Sequence, residues 1–134
     1  MRRKRVLIAD DSESIRGLLV LLLQGWDVEV VTVTDGLQAG DRIAERAFDL
    51  VITDYQMPGI DGAELTRRIK RAQPSCTVIA VTGCGELGPL REAGADVCLP
   101  KPVDVARLTG LLTDLLSSGG RRAQLPSPFV DGSP

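Results

Sequence analysis

The sequence predicts an α/β fold, a parallel sheet covered by helices on both faces, and three observations carry that expectation. Short β-rich runs alternate with helix-like segments five times along 134 residues. The runs are apolar throughout rather than every second residue, so both of their faces are buried, as in a parallel sheet between two helical layers. Charged or hydroxyl-bearing residues stand at the ends of four runs: Asp10 and Asp11 beyond residues 6–9, Asp54 beyond 50–53, Thr82 beyond 78–81 and Lys101 beyond 97–99.

Residues 6–9 form the first strand, and Ser12 caps a helix that continues to about Gln24, where Gly25 ends it. A strand over 28–33 and a helix over about 36–47 follow. Residues 50–53 are a short, fully apolar strand, and 57–62 are a turn-rich loop with Pro58 and two glycines. Residues 63–72 have helical composition, and Pro74 separates them from a strand over 77–81. A short helix over 87–93, a strand over 97–99 and a helix over 103–117 complete five β-α pairs. Residues 1–118 read as one domain; beyond them Ser, Gly, Pro and Arg dominate, and 119–134 read as a flexible tail with no second domain after it.

Composition narrows the function classes. Hydrophobic residues at 43% and charged residues at 25% suit a globular domain with a real core. Sixteen basic against eighteen acidic residues leave a formal charge of −2, so no broad field favours nucleic acid. The basic opening, residues 1–5, reads as a solubilising cap before a buried strand, because only four apolar residues follow it. The apolar run 18–23 falls far short of the ~20 residues a membrane span needs. Cys76, Cys84 and Cys98 form no close-spaced pair and the chain has no histidine, so zinc and Cys/His sites lack their parts. An odd cysteine count without a secretion signal fits reduced thiols in a cytoplasm.

In a parallel sheet the carboxyl ends of neighbouring strands lie together, so Asp10, Asp11, Asp54, Thr82 and Lys101 converge on one crevice. Three carboxylates, a hydroxyl and an ammonium suit a hard cation and a phosphoryl group. Carboxylate and phosphoryl groups repel, and crowding Asp54 beside two further acids adds to the repulsion. A divalent cation removes the conflict, and Mg2+, which takes carboxylate, water and phosphate oxygens, is the natural one.

Taken in order, Asp10-Asp11, the segment 54–62 (Asp-Tyr-Gln-Met-Pro-Gly-Ile-Asp-Gly), Thr82 and Lys101-Pro102 resemble the receiver domain of two-component response regulators over nearly all of residues 5–118. The resemblance implies a flavodoxin-like, three-layer fold with strand order 2-1-3-4-5, an order also given for the chemotaxis receiver used as the standard example of that fold. It implies that Asp54 accepts a phosphoryl group from a histidine kinase or a histidine phosphotransfer protein. It further implies Mg2+ on Asp11, Asp54 and the backbone carbonyl of Gln56, with Asp10 acting through water. Thr82, Gly83 and Lys101 then serve the phosphoryl group, and the Lys101–Pro102 bond is cis.

Two features depart from that family. Receivers usually carry Tyr or Phe three residues before the lysine, as a ring that turns inward on activation, and here that position is Cys98. The interval from Thr82 to Lys101 is also short and holds Gly83, Gly85, Gly88 and Pro89, so the fourth helix is expected to be short or irregular. On the first helix Ile15, Leu18, Leu19 and Leu22 supply a core face, leaving Val20, Leu21 and Leu23 as surplus apolar surface. That surplus reads either as deeper burial or as a docking patch for the kinase, the phosphotransfer protein or a second copy of the chain.

The expectation is a Mg2+-dependent phosphoacceptor in a single-domain regulator or relay, not a turnover enzyme, with no direct contact to nucleic acid. Two other readings stay open: a receiver fold used as a binding or scaffold module without phosphorylation, and a phosphohydrolase with an aspartyl-phosphate intermediate. The second usually spaces its acids two apart, whereas Asp10 and Asp11 are adjacent.

Overall fold

The computed structural model describes residues 3–83 and 87–117. Five β-α pairs follow one another: β1 Lys4–Ala9, α1 Glu13–Leu23, β2 Val28–Val33, α2 Gly36–Glu45, β3 Leu50–Asp54, α3 Gly62–Ala72, β4 Thr77–Thr82, α4 Leu87–Ala93, β5 Val97–Pro100 and α5 Val105–Leu116. All strand pairings are parallel, in the order β2-β1-β3-β4-β5, as expected.

The pleat sorts the core into two layers, because successive side chains point to opposite faces of a strand. Val6 and Ile8, Leu50 and Ile52, Ile79 and Val81, and Val97 and Leu99 share one layer with Leu19 and Leu23 of α1 and Leu108, Leu111 and Leu112 of α5. Leu7, Ala9, Val51 and Val78 face the other way, onto Ala39 and Ile43 of α2 and Leu65 and Ile69 of α3. A third, smaller cluster of Ala63, Ala80, Leu90, Ala93, Ala95 and Cys98 lies under α4.

Four helices start on a side chain that accepts a hydrogen bond from the third residue beyond it. Ser12, Asp35, Asp61 and Asp104 accept from the amides of Ile15, Gln38, Glu64 and Arg107, satisfying donors that a helix end otherwise leaves open. The cap at Asp104 moves the start of α5 from the expected 103 to 105. At the other end of α2, the Gln73 amide donates to the carbonyls of Ile43 and Arg46 and its oxygen accepts from Phe48 N. Arg46 is extended there, so α2 stops at Glu45 rather than near 47 and Phe48 turns into the core.

The fourth helix is short, at seven residues. Gly85 and Cys84 lie outside the described residues, as does the expected tail over 119–134. On α1 the surplus apolar residues divide. Leu23 is 1% exposed and part of the core, and Val20 packs against the core from its margin. Leu21 alone of the three is exposed, at 61%. The expectation of Leu23 as docking surface is therefore corrected: it lies one helical turn beyond Leu19 and completes the same buried stripe. Among the described residues no helix is long and apolar enough to cross a membrane.

Candidate functional site

The pairing of β1 with β3 sets the site. Ala9 is in register with Thr53, so the chain leaves both strands at one level, Asp10 and Asp11 on one side and Asp54 on the other. One carboxylate oxygen from each of Asp10, Asp11 and Asp54 lies within 4.8 Å of the other two. Asp10 and Asp54 are buried and Asp11 is exposed. Oxygen donors at this spacing, two of them shielded from water, suit a hard divalent cation.

Asp10 is fastened at each polar group. Its amide donates to Val33 O at 3.2 Å, its Oδ1 accepts from Ser12 N at 2.8 Å, and its carbonyl accepts from Arg16 Nη1 at 2.8 Å. Burial pushes its pKa up, the Asp54 and Asp11 charges push the same way, and the Ser12 amide and Lys101 oppose them. Burial, ahead of the neighbouring charges, is thus what favours the neutral form of Asp10.

The positive charge of the site comes from β5. Lys101 Nζ lies 3.1 Å from Asp54 Oδ1, and its amide donates to Thr82 O at 2.9 Å, extending the β4–β5 ladder to the site. The Lys101–Pro102 bond is cis, as expected. Thr82 ends β4 and is 5% exposed. Gly83 is exposed beside the lysine: a Cβ placed there would stand 3.9 Å from Lys101 Cδ. Gln56 lies two residues beyond Asp54, exposed on the loop between β3 and α3.

That loop is packed closely against two glycines, Gly62 at its end and Gly36 at the start of α2. A Cβ on Gly62 would fall 2.5 Å from Asp54 O and 2.8 Å from Tyr55 Cα, and one on Gly36 would fall 2.3 Å from Ile60 O. Gly62 N donates to Tyr55 O at 2.7 Å and Gly36 N to Pro58 O at 3.2 Å. The chain from Asp54 to Gly62 therefore doubles back tightly, with Gln56 exposed on it.

Cys98 sits at the position where an aromatic ring is usual. It is buried under α4 among Ala63, Ala80, Leu90, Ala93 and Ala95, with Tyr55 packed against the same cluster. Burial pushes its thiol up to about 11, with Arg91 opposing. Sequence reasoning missed Arg16 as a partner of the site. The signal was its place one turn after the Ser12 cap, from which a long side chain reaches back over the turn.

Comparison with known proteins identifies the family. Residues 6–113 match the family described as response regulator receiver domain. The transcriptional regulatory protein ZraR of Klebsiella oxytoca is 36% identical over 115 residues, 84% of this chain but 26% of that protein. The sensor protein GacS of Pseudomonas syringae pv. syringae is 36% identical over 115 residues, 80% of this chain and 13% of that one. The chain thus spans about a quarter or less of these relatives. Among solved structures, the signal receiver domain of an HD domain-containing protein from Pseudomonas fluorescens Pf-5 is 32% identical with a TM-score of 0.78, covering 87% of this chain and 89% of that one.

Proposed function

The chain belongs to the response regulator receiver domain family, and we propose that Asp54 is its phosphoacceptor, taking a phosphoryl group from the phosphohistidine of a histidine kinase or phosphotransfer protein. The observation that carries this is the pocket itself: a buried carboxylate with an ammonium at 3.1 Å and two further acids whose oxygens lie within 4.8 Å.

Asp11, Asp54 and the carbonyl of Gln56 would hold Mg2+, with Asp10 one shell out, since Asp10 is already engaged by Ser12 N. Bound there, Mg2+ supplies the positive charge that lets two anions meet. A carboxylate oxygen of Asp54 forms a bond to phosphorus as the P–N bond to the partner's imidazole breaks, the imidazole leaving with the electron pair and taking up a proton. Lys101 turns its ammonium from Asp54 to the transferred oxygens. The Thr82 hydroxyl donates to the same group, with Gly83 leaving room for it beside the lysine. The product is a mixed anhydride on a signalling domain: the chain accepts a phosphoryl group, and does so where phosphohistidine donors are made, in the cytoplasm.

Incubation with Mg2+ and acetyl phosphate tests the proposal by intact mass. One added phosphoryl group is expected in the wild type, and none when Mg2+ is chelated or in Asp54→Asn. An unmodified wild-type protein with Mg2+ present overturns it.

A further inference from the structure

The turn between β1 and α1 carries both Asp10 and Asp11, and its geometry depends on a residue outside the acidic pair. Asp10 is 2% exposed, and among the described residues the donor to its carbonyl is a side chain. Arg16, in the first turns of α1 and itself half-buried, donates to that carbonyl from Nη1 at 2.8 Å. The carbonyl of Asp10 and the amide of Asp11 belong to one rigid peptide plane. Holding the oxygen therefore fixes where the Asp11 Cα stands in the turn, the base from which its carboxylate reaches the pocket.

We propose that Arg16 is a positioning residue for the acidic pocket: it fixes the Asp10–Asp11 peptide plane so that Asp11 faces Asp54 across a shared cation. The inference rests on reading that pocket as a Mg2+ site. A guanidinium is suited to the task because its planar fork holds an acceptor in one direction, and a charge-assisted bond resists the pull of the metal on the turn.

Two effects of Arg16 on the cation have opposite signs, which makes the proposal decidable. As a mere positive charge near the pocket, the guanidinium repels Mg2+, and its removal tightens binding. As a positioning residue it pre-forms the site, and its removal weakens binding. Residues that orient metal ligands from behind typically matter by about tenfold or more in affinity.

The experiment is calorimetric titration of the full chain with MgCl2, with thermal melting of the metal-free protein alongside. Arg16→Met is expected to bind Mg2+ roughly tenfold more weakly while remaining folded. Arg16→Lys, which keeps a donor and the charge, is expected to recover most of that loss. Should the melt show Arg16→Met unfolded, Arg16→Gln is read by the same criterion. Affinity equal to or tighter than wild type in the folded neutral variant overturns the positioning role. A wild type that takes up no Mg2+ overturns the metal site itself, a result that cannot be confused with the first.

Discussion

Lys101 Nζ and Asp54 Oδ1 stand 3.1 Å apart across the ends of β5 and β3, with β4 between them. The lysine is one-third exposed while the aspartate is 5% exposed, so the ammonium can swing away without leaving water, whereas the carboxylate stays in place. In the unmodified protein Lys101 offsets part of the negative charge, and on phosphorylation it has a second anion to follow.

Lys101→Ala separates these two roles. Losing a cation aimed at the transferring oxygens should slow modification of Asp54 by roughly a hundredfold, read from mass-spectrometric time courses. Mg2+ affinity should hold or rise, because the ammonium competes with the metal for Asp54. A variant that phosphorylates at the wild-type rate removes Lys101 from the chemistry.

Asp10 gives the pocket a pH signature. Its pKa is raised in the folded protein, chiefly by burial, so the native state binds the proton more tightly than the unfolded chain. The resulting stabilisation is complete below the ordinary value of 3.8 and is lost as pH rises through the raised value. Asn at this position still accepts from Ser12 N and carries no charge. Metal-free Asp10→Asn should therefore melt above wild type at neutral pH, with the difference vanishing in acid. Equal melting temperatures at neutral pH would show that the carboxylate is not penalised there.

Two glycines should respond to alanine with opposite signs. Gly17 lies within α1 with no atom within 4 Å of a Cβ placed on it, and Gly17→Ala should stabilise by about 0.5–1 kcal/mol. Gly62→Ala drives a methyl group into the Asp54 carbonyl, 2.5 Å away, and should cost about 1–3 kcal/mol. Denaturant titration of both variants checks the contrast, and a stabilised Gly62→Ala would mean the loop yields freely.

Cys98 sits in a small, closed cluster under α4. The surrounding side chains are mostly alanine, yet the cluster is closed and Cys98 is only 4% exposed. Cys98→Tyr should overpack it and cost about 1–3 kcal/mol. The native thiol, pushed to about 11, should also resist alkylation by iodoacetamide at pH 8, where a free thiol reacts readily. Rapid labelling of Cys98 in the folded protein would show that α4 opens often.

Much of the fold was legible because buried parallel strands leave contrast with their surroundings. The runs at 50–54 and 77–82 are buried at every residue, and the acids stand at the switch from strand to loop. Helix α1 was harder. Residues 18–23 are six apolar side chains in a row, so a wheel has no polar face there to orient it, and Leu23 reads equally as buried or as surplus surface although it follows Leu19 by one turn. The end of α2 depends on Gln73, which reaches back from α3. Such a cap has no local signature. Arg16 had only its place one turn after the Ser12 cap as a signal, because its partner, the Asp10 carbonyl, is a backbone acceptor that leaves no mark in the sequence.

Peptide mapping after treatment with Mg2+ and acetyl phosphate decides whether the pocket does what its geometry supports. The phosphoryl group is expected on the peptide containing Asp54 and on no other, at one per chain. Modification that survives in Asp54→Asn, or that maps to Ser12 or Asp11 instead, would contradict it.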